Sequence, residues 1–387
     1  MRDLKTILTE DGNFSTNKIS KEFIAETAKI CSTYLTGEWS NVKDDDIVIE
    51  SILGGNSNHV FKVSMISNKE KPVLLRIYGT NIIDEIFKDT LVFSILSEKK
   101  LGPKLLGYFP GGRLEEYIES RSLTTKELGY PSVIRLLAKK VANIHSLEVP
   151  LAKSANIFEL IKNEIKTFKE VLGENHTFNV IPSKVSNRHC PSTINIKELE
   201  EEIQFLENMT KEYNSKIAFS HNDIFEGNII VRKDAIIEKD QIISNNVDDS
   251  LIVIDFEYCC YNFIAFDLAQ IFAETAITYD DDCECGYNIE EKDFLNDERL
   301  LIFINEYLNE KNKNNGEVEV DINKLQKEAN KLMKETKTFV LIVHIFWGVW
   351  NIRQSFKSSI KNYDFMKHGL DRFVLYFNQK HQFLNEQ

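Results

Sequence analysis

The chain has 387 residues, 60 acidic against 47 basic side chains for a net charge of −13, and 42% hydrophobic and 11% aromatic residues. This composition fits one large or two coupled globular domains with a proper core and excludes a disordered chain. The acidic balance argues against nucleic-acid partners, which need a net basic face, and against docking on anionic membrane.

In chain order, Ile47 to Leu53 reads as a strand running into the turn Gly54-Gly55-Asn56-Ser57-Asn58, and His59 to Met65 and Val73 to Tyr78 as two more strands. Asp84 to Lys100 has helical periodicity and stops at Leu101-Gly102-Pro103; Leu105 to Phe109 and Gly112 to Ile118 form a further pair of strands. From Thr124 the pattern turns helical, with helices over Ser132–His145, Ile157–Leu172 and Ile196–Tyr213. Polar stretches at Gly173–Thr193, Lys233–Ser250, Asp280–Asp293 and Asn309–Glu319 read as surface loops or insertions. The apolar run Thr338–Ile352 is 15 residues long, short of the roughly 20 a membrane span needs, and predicts a buried helix. The expected class is α+β: a small β-rich lobe over 1–118 and a larger, mainly helical lobe over 119–387, with a hinge near Glu115–Ser120 and a cleft between them.

Cysteines 31, 190, 259, 260, 283 and 285 lack the spacing of a zinc site, and no signal peptide is visible at Met1-Arg2-Asp3-Leu4. Reduced thiols in a cytoplasmic protein are expected.

Chemistry concentrates in two segments. The first is Ser220-His221-Asn222-Asp223-Ile224-Phe225-Glu226-Gly227-Asn228, followed by Ile229-Ile230-Val231; the second is Leu251-Ile252-Val253-Ile254-Asp255-Phe256-Glu257. Together they have the form H-x-D-x-x-x-x-N, strand, hairpin, strand, D-F-E. This is the order in which a protein-kinase-like site presents its base, its amide metal ligand and its carboxylate metal ligand. Asp223 would orient or accept the proton of an acceptor hydroxyl, while Asn228 and Asp255 converge on Mg²⁺ at the phosphates of ATP. His221 reads as a structural brace. The Gly54–Asn58 turn could lay backbone N–H groups over phosphates, although Gly-Asn-Ser clusters are ordinary hairpin turns. Arg76 could grip the nucleotide phosphates, paired with an acid on the following helix, for which Asp84, Glu85, Asp89 and Glu98 are all candidates. A solvated strand arginine is the plain alternative.

Phe346-Trp347-Gly348-Val349-Trp350 sets two tryptophans three apart on one helix face. Tyr258 and Tyr261 follow Asp255, and Tyr279 follows Glu274. Aromatic residues at helical spacing usually form core. Beside the upstream motifs, rings with an acid suit a quaternary ammonium, which cannot donate N–H bonds and is held by cation–π attraction of about 2 kcal/mol when desolvated.

These segments resemble the choline/ethanolamine kinases, most closely the choline kinase branch. The resemblance takes in Ile52 to Asn58, Leu74 to Gly79, Leu101 to Leu105, Phe109 to Leu123, His221 to Asn228, Ile254 to Asp267 and Trp347 to Trp350. It implies a protein-kinase-like fold and Mg²⁺-dependent transfer of phosphate from ATP to choline on the way to phosphatidylcholine. It also implies a homodimer. Residue by residue, it makes Asp223 the catalytic aspartate, Asn228 and Asp255 the metal ligands, and Arg76 the phosphate-binding residue. Glu116 and Ile118 fall at the adenine, and Tyr258, Glu274, Tyr279, Trp347 and Trp350 line the choline pocket. The chain departs from the family pattern at Phe225, where glutamine is common, and at Thr275, where tryptophan is common. Tyr363, Phe365 and His368 are alternatives for a further pocket ring. An ethanolamine or dual-specificity kinase is the nearest alternative; an aminoglycoside-type kinase or an inactive pseudokinase is more distant.

Overall fold

The computed structural model describes residues 4–10, 19–52, 58–67, 71–79, 82–280, 282–294, 296–317, 321–358 and 360–385. The chain divides into two compact units, residues 1–120 and 121–387.

In the first unit, α1 (Leu4–Glu10) and α2 (Lys21–Tyr34) precede a five-stranded antiparallel sheet. Its strands are β1 (Ile47–Ile52), β2 (Asn58–Met65), β3 (Val73–Tyr78), β4 (Leu105–Phe109) and β5 (Gly112–Glu116), in the order β1-β2-β3-β5-β4, with α3 (Ile83–Glu98) inserted after β3. The period-2 pattern decides the faces. Val73, Leu75 and Ile77 are buried in β3, whereas Leu74 and Arg76 point the other way and are half-buried. The buried set packs with Phe61, Val63, Leu114 and α2 residues Phe23, Ile30 and Cys31. Ser20 starts α2 by accepting the Phe23 N–H at 3.2 Å. At Gly112 a Cβ would lie 2.2 Å from the Arg76 carbonyl, so only glycine lets β3 and β5 approach there.

The second unit is mainly helical, with α4 (Pro131–His145), α5 (Ile157–Leu172) and α6 (Ile196–Tyr213). Next come β6 (Ile217–Ser220), β7 (Ile229–Arg232), β8 (Leu251–Val253) and β9 (Cys260–Phe263), where β7 pairs with β8 and β6 with β9, both antiparallel. They are followed by α7 (Ile264–Glu274), the hairpin β10 (Ile277–Tyr279) and β11 (Tyr287–Ile289), α8 (Asp297–Asn314), α9 (Ile322–Ser355) and α10 (Phe365–Asn385). All eleven residues of α7 are buried, so its polar side chains need partners inside the protein.

The expected helices α4, α5 and α6 form within one residue of their bounds, and the apolar run 338–352 lies inside the 34-residue α9, largely buried. Among the described residues no helix is long and apolar enough to cross a membrane. One expectation is corrected: Asn309–Asn314 is the end of α8 and not loop. Its polar residues are the outer face of a helix whose inner face buries Leu300, Phe303, Ile304, Tyr307 and Leu308, and Lys311 and Lys313 suit the negative end of its dipole. The polar stretch Asp280–Asp293 likewise contains β11, paired with β10.

Candidate active site

The register Ile229↔Val253 between β7 and β8 brings the two motif segments to one end of a short ladder. The Ile254 N–H continues it by donating to the Asn228 carbonyl at 2.9 Å. Asn228 and Asp255 therefore leave the ladder side by side, one from each strand. Asp255 (φ 65°) and Asn222 (φ 68°) both adopt left-handed backbone, uncommon for residues with a Cβ. Asn222 is held there by its side chain, which donates to the Tyr258 carbonyl at 3.0 Å and accepts from Asn262 at 2.7 Å.

Asp267 of α7 fixes the loop that carries Asp223. It accepts the His221 N–H at 2.7 Å on one carboxylate oxygen and the Asn222 N–H at 2.6 Å on the other. His145 contacts the same carboxylate at 3.1 Å and the Tyr307 hydroxyl at 2.9 Å. His221 lies 2.9 Å from the Ile254 carbonyl through Nε2, and a carbonyl only accepts, so the proton sits on Nε2. Nδ1 is left to accept the Asp223 N–H at 3.2 Å. Burial keeps the ring neutral by lowering its pKa, against the opposite pull of Asp267. The sequence reading of His221 as a brace matches this geometry.

The Asn228 amide donates to the Asp223 carbonyl at 2.9 Å and to Asp223 Oδ2 at 3.1 Å. Burial, then the carboxylates of Glu274, Asp255 and Glu257, push the Asp223 pKa well above the usual carboxylate range. A site this rich in buried negative charge favours cations. Glu226, raised to about 7 by burial and Glu274, adds to it.

Beside this loop, three rings meet edge-on: Tyr258 lies 5.7 Å from Trp347 and 6.4 Å from Trp350, and the two tryptophans are 5.3 Å apart. Trp350 also meets Phe365 at 6.1 Å. Tyr279 belongs to a second group. Its hydroxyl donates to Glu274 Oε2 at 2.9 Å, and its ring meets Phe225 at 5.4 Å and Tyr363 at 6.3 Å. Glu274 is not a free acid, because buried Arg372 donates to its Oε1 at 2.5 Å. His368 is buried behind Tyr363, bonded to that hydroxyl and to Arg372, and stacked on Tyr287 at 4.4 Å. Of the three alternatives, Tyr363 and His368 both lie beside Tyr279, at 6.3 and 6.0 Å, with His368 also committed to supporting hydrogen bonds, and Phe365 lies beside Trp350.

In the first unit, Gly54, Gly55, Asn56 and Ser57 lie outside the described residues. Asn58 accepts the Gly79 N–H at 3.2 Å. Arg76 pairs with Glu115 at 2.6 Å, a correction to the expectation of an acid on the following helix. The register explains the change: Arg76 faces Arg113 across β3 and β5, which puts Glu115 on the same face two residues along. Arg113 takes Asp89 of the helix and also bonds Glu115 at 2.7 Å. Burial alone would raise the Glu115 carboxyl, but the two guanidinium groups outweigh it and hold it below its usual value. Glu116 accepts the Lys104 N–H at 3.2 Å, and the Ile118 carbonyl accepts from Ser120 at 3.0 Å.

A family model described as choline/ethanolamine kinase matches residues 49–377, most of the chain. The chain belongs to the choline/ethanolamine kinase family. It is 33% identical to choline kinase A2 of Caenorhabditis elegans, over 98% of this chain and 90% of that one. It is 30% identical to a choline/ethanolamine kinase of Rattus norvegicus, over 95% and 89%. The fold is that of the choline kinase from Cryptosporidium parvum Iowa II, with a TM-score of 0.73 at 24% identity over 93% of this chain and 96% of that one. The fold class is therefore protein-kinase-like α+β, as expected from the sequence.

The sequence reading of this kinase gave no role to Asp267, Gln270 or Arg372. A signal for the first two was present: Asp267, Gln270 and Glu274 recur at i, i+3 and i+7 in the otherwise apolar Ile264–Glu274, a polar stripe that a buried helix keeps only with partners. Arg372 carries no comparable local signal. The departures also find places. Phe225 packs its ring over Gly227 and against Tyr279, and buried Thr275 bonds the Phe272 carbonyl at 2.9 Å.

Proposed function

We propose that this kinase transfers the γ-phosphate of ATP to the hydroxyl of choline, giving phosphocholine for phosphatidylcholine synthesis. The observation that carries the reading is the Tyr258–Trp347–Trp350 cluster, whose Tyr258 is tied through its carbonyl to Asn222, next to Asp223. Ring faces attract a trimethylammonium that has no N–H to donate. Among the relatives, both choline kinase and choline/ethanolamine kinase occur as names, which supports ethanolamine as the second substrate.

In this reading Asp223 accepts the hydroxyl proton as the choline oxygen bonds to the γ-phosphorus and the bond to ADP breaks. Asn228 holds Oδ2 of that aspartate and leaves the other oxygen for the substrate. With the Asn228 nitrogen spent on Asp223, its oxygen is the atom left to serve as a metal ligand, and Asp255 would supply the second oxygen from the neighbouring strand. That pair of hard oxygen donors fits Mg²⁺, which takes one or two protein ligands and completes its shell with water and phosphate. The ion would offset charge on the transferring phosphoryl group. Arg76 and the turn Gly54–Asn58 are proposed to hold the phosphates, with Glu116 and Ile118 at the adenine. A cytoplasmic homodimer belongs to the same proposal.

ADP release with ATP and Mg²⁺ should be rapid with choline and slower, at equal kcat/KM comparison, with ethanolamine. A higher kcat/KM for ethanolamine would reverse the substrate order, and no ADP with either amine would sink the function.

A further inference from the structure

Three of the pocket rings hang on one buried polar network. Trp347 Nε1 donates to Gln270 Oε1 at 2.7 Å, and the Gln270 amide nitrogen lies 3.4 Å from Glu274 Oε1. The same Oε1 accepts Arg372 Nη2 at 2.5 Å, while Oε2 accepts the Tyr279 hydroxyl at 2.9 Å. Arg372 reaches on to the Tyr279 hydroxyl at 3.3 Å and to His368 at 3.1 Å, and His368 bonds Tyr363. Glu274 and Arg372 are each 1% exposed.

A carboxylate has about four lone-pair sites, and protein donors occupy three of those of Glu274. Its nearest countercharge is Arg372, at 2.5 Å. It has therefore little left to offer a substrate ammonium, in contrast to the sequence expectation of an acid facing the cation. The loss is unequal between substrates. A primary ammonium would gain charge-assisted hydrogen bonds from a free carboxylate, whereas a trimethylammonium has no proton to give.

We infer that Arg372 is a specificity-determining positioning residue: by holding Glu274 in a closed ion pair it withholds the carboxylate from primary ammonium substrates and leaves recognition to the rings. This inference rests on the function proposed above.

The test compares kcat/KM for choline and ethanolamine across variants. In Arg372→Met the carboxylate is released, and the choline-to-ethanolamine ratio should fall about tenfold, chiefly through a lower KM for ethanolamine. In Glu274→Gln the ratio should stay within about twofold, because neither amine loses a direct contact, although the uncompensated guanidinium weakens both. Glu274→Gln combined with Arg372→Met removes both charges and should return the ratio to that of the wild type. If Arg372→Met does not yield folded protein, the other two variants decide. A ratio unmoved in Arg372→Met, or a ratio that rises several-fold in Glu274→Gln because ethanolamine has lost its acceptor, overturns the inference while the proposed function stands. A wild-type protein inactive on both amines overturns the function itself and the inference with it.

Discussion

Asp223 owes its position to contacts that its own motif does not contain. The loop backbone is pinned by Asp267, one carboxylate oxygen for each of two consecutive N–H groups. Asparagine at this site could satisfy only one of them and would aim its NH₂ at the other. Asp267→Asn should therefore destabilise the fold by about 2 kcal/mol, since buried hydrogen bonds to charged groups contribute about 1.5–3 kcal/mol. It should also lower kcat about a hundredfold, because a displacement of about 1 Å at a catalytic group costs that much. Urea unfolding and steady-state kinetics on one preparation check both, and an unchanged kcat would show that the loop keeps its shape without this clamp. At this scale the sequence was most readable where chemistry dictates residue type and spacing, as in Asp223, Asn228 and Asp255. It was least readable for partners that are distant in the chain, such as Glu274 and Arg372, because no local pattern encodes their encounter.

The helices α9 and α10 carry much of the ring cluster, and their contact depends on two glycines. A Cβ on Gly348 would lie 2.6 Å from the Phe373 ring, and one on Gly369 would lie 2.8 Å from the Gly348 carbonyl. Gly348 sits between Trp347 and Trp350, so the spacing of the helices and the setting of the rings are coupled. Gly348→Ala gains helix propensity but overpacks the contact, and the second effect is the larger at about 1–3 kcal/mol. The expected outcome is a lower Tm together with a higher KM for choline; a raised Tm would mean that Phe373 gives way freely. Helix existence and extent in this region followed from periodicity, as α5 and α6 show. The polar end of α8 did not, because a solvated helical face and a loop have the same composition. Nor did the partner of Arg76, which was set by the register of β3 against β5.

For the molecule as a whole, three buried histidines set an acid limit. His221, His344 and His368 all have lowered pKa values, each first through burial, with Arg372 adding to the effect at His344 and His368. A group with a depressed folded-state pKa binds its proton more readily when unfolded. Stability is thus fully present above the unfolded value of about 6.5 and is lost as pH falls below it. Neither ring nitrogen of His344 has a well-formed hydrogen bond and, among the described residues, only Gln379 interacts with it as a side-chain donor or acceptor, so His344→Leu removes a titrating group at the loss of that one weak contact. Thermal melts should show Tm falling between pH 7 and 5, and falling less in His344→Leu; equal slopes would assign the acid loss to other groups. By itself the sequence determined the fold class and the spacing of the motif that carries Asp223, Asn228 and Asp255, and its resemblance pointed to the family, because spacing, periodicity and residue chemistry are properties of neighbours in the chain. Only the tertiary structure decided which buried charges meet. Glu274 faces Arg372, and Asp267 clamps the loop, because polar groups carried into the core must find partners wherever packing brings them.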